Sequence, residues 1–190
     1  MNKQQRDKKL KELQKIALSS SQLQENTEQQ LPIVTYNQIY HWSIPELLAN
    51  GACIILYLWE QSYGHWTVLI DHPDEDGAVE YFDPYGKAPD YWMSKNSDEK
   101  NEELGQHSPY LLNKIIQSNQ EWYYNQFPFQ DENKSDDILS CGRHCLVRNW
   151  LRHLSLADYK KFLTDVKNEY KLNTYDEVVT MLTKHIDEQH

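Results

Sequence analysis

The sequence predicts a mixed α and β fold, and three observations carry that expectation. Ala52 to Trp59 is a continuous apolar run rich in branched and aromatic residues. Two further β-rich runs, 64–70 and 78–83, flank turn chemistry at Asp71 to Gly77, as in a hairpin. After Ser140, three segments carry apolar residues at helical spacing.

Residues 1–30 read as an extension. Leu10, Leu13, Ile16 and Ala17 form a narrow apolar face on a short basic helix, and Ser19 to Gln30 is almost wholly polar, as in a linker. The folded domain is expected over 31–190. Ser43 caps a short helix with Pro45 in its first turn, ended by Asn50-Gly51. The strand 52–59 follows, and Cys53 within it reads as core. If the next hairpin is symmetric about Asp74, residues whose numbers sum to 148 face each other, which sets His65 opposite Asp83 on one face. A slip of one residue would separate them.

Residues 87–107 read as a charged surface excursion. Ser108-Pro109 begins a helix with Leu111, Leu112, Ile115 and Ile116 on its apolar side. Residues 121–125 read as a strand, and Gln126 to Ser140 as a long loop carrying Asp131, Glu132, Asp136 and Asp137. The helix from Cys141 buries Cys145, Val147, Trp150 and Leu151. Ser155 with Asp158, and Thr174 with Glu177, begin two more helices.

The chain has 190 residues and a net charge of −10, which argues against broad nucleic-acid binding by the domain. Residues 1–15 are the exception: six Lys or Arg against Asp7 and Glu12 leave +4, and the remaining 175 residues carry −14. This basic tail is a candidate tether to DNA or to a capsid surface. No apolar run approaches membrane-spanning length and no signal-peptide pattern is present. Three cysteines, Cys53, Cys141 and Cys145, fit reduced thiols better than a disulfide framework.

Ser140-Cys141-Gly142 is the stretch that carries chemistry. Ser140 is a good N-cap, and a thiol at the positive end of a helix favours the nucleophilic thiolate. Gly142 removes bulk beside the sulfur. A thiol attacking an amide needs an imidazole, an acceptor to orient it, and donors for the oxyanion. His65, Asp83 and Cys141 supply the first three. The Cys141 N–H and a glutamine, Gln130 in preference to Gln126, supply the donors. Cys145 is the alternative nucleophile, one turn into the helix. A zinc site from Cys141, His144, Cys145 and His153 is a rival reading, with an uncommon ligand spacing.

Gly64-His65-Trp66, then Phe82-Asp83-Pro84-Tyr85-Gly86, then a Gln, then Cys141-Gly142 opening a helix, resembles the adenain and SUMO-protease superfamily of cysteine proteases. The Cys-Gly-Arg-His-Cys-Leu string is most similar to virion-maturation proteases of virophages, polinton-like elements and large DNA viruses. The resemblance covers about residues 40–155. It implies an α+β adenain-like fold: a central mixed or antiparallel sheet packed by the helix bearing Cys141 and by further C-terminal helices. It assigns His65 as base, Asp83 as orienter, Cys141 as nucleophile and Gln130 as oxyanion donor, with no metal and no cofactor. The implied activity is endoproteolysis of capsid or other virion precursors next to small residues such as Gly. The expected setting is the host cytoplasm and the virion, as a monomer without membrane contact. A deubiquitinase or SUMO-protease activity would use the same residues, and a non-catalytic binding module is the remaining alternative. The family's Gln stands six or seven residues before the Cys, and Gln130 stands eleven before it.

Overall fold

The computed structural model describes residues 2–27, 31–72, 77–130 and 138–188. The hairpin centre at Asp74, the acidic loop positions Asp131 to Asp137, and linker residues 28–30 lie outside them. The fold is α+β. Five strands, β1 (Ile33–Thr35), β2 (Ala52–Glu60), β3 (Tyr63–His72), β4 (Ala78–Phe82) and β5 (Trp122–Tyr124), form one mixed sheet in sequence order. The three central strands pair antiparallel; β1 joins β2, and β5 joins β4, in parallel.

β2 is apolar on both sides because both sheet faces are covered. Ala52, Ile54, Leu56 and Leu58 enter one core. Cys53, Ile55 and Tyr57 enter the other. The first core is closed by three C-terminal helices, α6 (Cys141–Trp150), α7 (Leu156–Glu169) and α8 (Tyr175–Thr183). The second lies under segments 36–48, 91–93 and 110–117, which include 3₁₀ turns and the helices α3 (Ile44–Leu47) and α5 (Leu111–Gln117); α4 (Asp98–Glu103) stands between the last two. Among the described residues, no helix is long and apolar enough to cross a membrane.

Three local expectations are corrected. First, β3 and β4 pair as Val68 with Phe82 and Ile70 with Glu80, so opposed residues sum to 150 and not 148. Asp83 lies just past the end of β4. The slip is two residues, an even number, so the face on which each side chain stands is unchanged. His65 and Asp83 therefore meet as diagonal neighbours. Second, α5 starts without a side-chain cap of its own. Its first free N–H groups, on Leu111 and Leu112, donate to the distant carboxylate of Asp90 at 3.2 and 3.0 Å. Third, the segment 87–107 is no mere surface excursion: Trp92, Met93 and Leu104 are buried, and Gln106 bonds both backbone groups of Leu58 at 2.8 and 2.9 Å.

The N-terminal segment also differs from a solvated tail and linker. It forms α1 (Lys3–Leu13) and α2 (Ser20–Glu25), each with a capping box at its start. Leu10, Leu13, Leu18 and Leu23 are buried, while Ile16 and Ala17 of the expected apolar face are exposed. Four main-chain groups of this arm fasten it to the domain. Leu13 O accepts from Arg143 at 3.4 Å, Gln14 O from Leu139 N at 2.7 Å, Leu18 O from Trp66 Nε1 at 3.2 Å, and Asn26 O from Trp150 Nε1 at 2.8 Å. Polar side chains say little about such docking because backbone carbonyls make it.

Candidate active site

β3 begins at a tight approach to β2. A Cβ at Gly64 would fall 1.8 Å from the carbonyl oxygen of Tyr57, so only glycine fits there. The next residue, His65, is buried. Its Nε2 lies 3.0 Å from Asp83 Oδ1, and the Cys141 thiol lines the same cleft near enough to act on the ring. Burial works against the imidazolium. The charge and hydrogen bond of Asp83, aided by the hydrogen bond and charge of Cys141, outweigh it, and the His65 pKa is raised to about 9. Aromatic rings wall the imidazole, with Trp92 at 4.4 Å and Tyr85 at 5.1 Å between centroids.

Asp83 is held by donors on every side. Oδ1 also accepts from Tyr85 N at 2.8 Å, and Oδ2 accepts from Trp92 Nε1. Its backbone N–H donates to Asn125 Oδ1 at 2.8 Å, and its carbonyl accepts from Asn125 Nδ2 at 2.6 Å. Sequence reasoning missed Trp92 and Asn125. Both sit in segments whose local pattern says surface or strand end, and only the fold brings them to the carboxylate.

The same turn places the glutamine. Gly86 N donates to Asp83 O at 2.8 Å, and Pro84 O accepts from Phe129 N at 2.8 Å and Gln130 N at 2.9 Å. Gln130 is 1% exposed. Its Nε2 donates to Ile138 O at 3.0 Å, and its Oε1 has no partner. Gln126 is exposed and stands outside the cleft. Gln130 stands eleven positions before Cys141, and both line one cavity.

Cys141 is the first residue of α6 and is 9% exposed. It lines a cleft of about 440 Å³ together with His65, Trp66, Tyr85 and Gln130. Leu18 and Leu56 add apolar wall to the same cleft. Cys145 is fully buried on the core side of α6, and burial pushes its pKa well up; Cys53 is buried in β2 with its thiol likewise pushed up. Gly142 has a packing role beyond opening the site. A Cβ there would press on Trp66 at 3.2 Å and Leu18 at 3.3 Å.

The zinc alternative is not assembled. His144 Nε2 turns to Asp176 at 3.0 Å, Cys145 faces the core, and His153 is exposed. Among the described residues no group of three or more His, Cys, Asp or Glu could hold a metal ion. The arrangement that does assemble is a thiol and an imidazole lining one cleft, the imidazole bonded behind to a buried carboxylate, with Gln130 on the same cleft and the thiol on the first residue of a helix.

No protein-family model matches the chain. The uncharacterized protein V9 of Sputnik virophage is 36% identical over 178 residues, which cover 93% of this chain and 99% of that protein.

Proposed function

The chain belongs to the same family as the virophage V9 protein, and we propose that it is a cysteine endopeptidase of the adenain and SUMO-protease type. The observation that carries this reading is His65, buried, bonded through Nε2 to Asp83 and lining one cleft with Cys141, whose thiol helps to raise its pKa. Cys141 attacks the scissile carbonyl carbon. His65, cationic below about pH 9, holds the ion pair and then protonates the leaving amine. Asp83 keeps the ring in the tautomer and orientation that allow this. The Cys141 N–H and the amide of Gln130 receive the oxyanion. Water, deprotonated by the same imidazole, releases the acyl group.

A protein precursor of the virion, cut next to a small residue such as Gly, is the substrate proposed. A homologue in a virophage supports a viral setting in the host cytoplasm and the virion. The basic helix α1 turns Lys3, Lys8 and Lys11 outward, which supports a contact with packaged DNA. The test of the activity needs no known substrate. Iodoacetamide should label Cys141 faster than Cys53 and Cys145 at pH 7, located by mass spectrometry, and His65→Ala should abolish the advantage. Equal labelling of Cys141 with and without His65 would remove the basis of the assignment.

A further inference from the structure

The N-terminal arm reaches the cleft that holds Cys141, and its docking leaves main-chain groups unused there. The stretch 14–19 joins α1 to α2. Two anchors fix it beside Cys141 and His65. Gln14 O accepts at 2.7 Å from the N–H of Leu139, two positions before Cys141. Leu18 O accepts at 3.2 Å from the indole of Trp66, the neighbour of His65. The Leu18 side chain is buried, and its Cβ borders the space over Gly142. Between the anchors, Ala17 is exposed and lines the cleft. Its N–H, its carbonyl and the N–H of Leu18 make no hydrogen bond with another described residue. Ser19 continues the stretch in an extended conformation, at φ −77° and ψ 164°, and lines the same cleft.

The N–H and carbonyl of a single residue are the two groups it exchanges with the residue opposite in an antiparallel ladder. Ala17 offers both, on a segment already held in place, so a peptide that pairs with it orders only itself. An extended chain is the ligand that matches open main-chain groups, whatever its side chains. We infer that the arm forms one side of the substrate site, and that Ala17 pairs through its main chain with an extended peptide whose scissile carbonyl lies at Cys141. This rests on Cys141 being the nucleophile.

Two probes, used on the full chain, separate recognition from reactivity. Acetylated Ala-Ala-Ala-Gly vinyl sulfone carries a peptide that can reach the arm, and acetylated Gly vinyl sulfone does not. In each, the sulfur adds to the terminal vinyl carbon. The C=C electron pair moves to the carbon beside the sulfone, which takes a proton from the His65 imidazolium, and a thioether forms with no leaving group. In the parent, the long probe should modify Cys141 at least about fivefold faster than the short one, the factor for one hydrogen bond. Ala17→Pro removes the N–H. In that variant the long probe should slow about fivefold, while the short probe and iodoacetamide stay within about twofold of the parent. A second measurement needs no variant. In the isotope-labelled parent, hydrogen exchange at the Ala17 amide should slow by about fivefold or more once Cys141 carries the long probe, and not once it carries the short one.

A long-probe rate that Ala17→Pro leaves unchanged or raises overturns the inference. So does equal slowing of all three reagents, the result a merely structural arm would give. Unchanged exchange at Ala17 in the loaded parent overturns it as well, and decides the matter alone should the proline variant not fold. Labelling by either probe that survives Cys141→Ala ends the nucleophile assignment itself, an outcome read independently of any arm variant.

Discussion

Replacing Asp83 by Asn changes one charge at the centre of the site and little of its shape. In the native chain the His65 pKa stands at about 9 against an ordinary 6.5. At about 1.4 kcal/mol per pH unit, that difference corresponds to at most about 3 kcal/mol of preference for the imidazolium in the fold. The folded-state value is the raised one, so this stabilisation is complete below pH 6.5 and is lost as pH rises through about 9. In Asp83→Asn, burial acts on the ring without the opposing carboxylate, and His65 should be neutral at pH 7. Two measurements follow. The His65 ring resonances in isotope-labelled protein should titrate well below 6.5 in the variant. The difference in unfolding free energy between parent and variant should shrink as pH rises between 6.5 and 9, a comparison in which groups common to both cancel. A residual cost of about 1–3 kcal/mol should remain at high pH, because three donors, from His65, Tyr85 and Trp92, meet the carboxylate and an amide presents one edge that cannot accept. A pH-independent difference, or a His65 titration unmoved by the substitution, would refute the account of how this ring is charged.

Cys141→Ala should abolish cleavage and leave the thermal midpoint nearly unchanged, since it removes a single sulfur at the cleft; retained turnover would reassign the nucleophile. Gly64→Ala should destabilise by about 3 kcal/mol, because the added carbon meets the Tyr57 carbonyl, and chemical denaturation of a variant near native stability would contradict the close pairing of β2 and β3. Arg148 is buried against Glu80, with two bonds of 2.8 and 2.7 Å between them. Arg148→Met should cost about 3–5 kcal/mol by stranding that carboxylate, and adding Glu80→Leu should recover much of it. Urea unfolding of the single and double variants measures both.

The legible part of the site was the part written in local pattern. His65 stands in a β-rich run, Asp83 ends another, and Cys141 opens a helix. Their common face depended only on odd or even position, which is why a register two residues from the expected one still brought His65 and Asp83 together. What stayed hidden depends on long-range hydrogen bonds that no window of sequence contains. Trp92 and Asn125 reach Asp83 from segments read as surface and strand end. Ser140 has every local mark of a cap, and a carboxylate from α8 overrides it. The arm 2–27 is polar enough to read as tail and linker, yet a few leucines and its backbone carbonyls dock it.

That arm has a consequence in time. The arm precedes its anchors along the chain by a wide margin: Leu13 waits for Arg143, 130 residues on, and Asn26 for Trp150, 124 residues on. Ala17 and Leu18 are a wall of the cleft that holds Cys141, so the cleft has no complete shape until those contacts form. The most separated contacts of a fold are the last to be secured. On the proposed reading of the chain as a protease, a copy whose arm has not yet docked presents no finished cutting site to its neighbours.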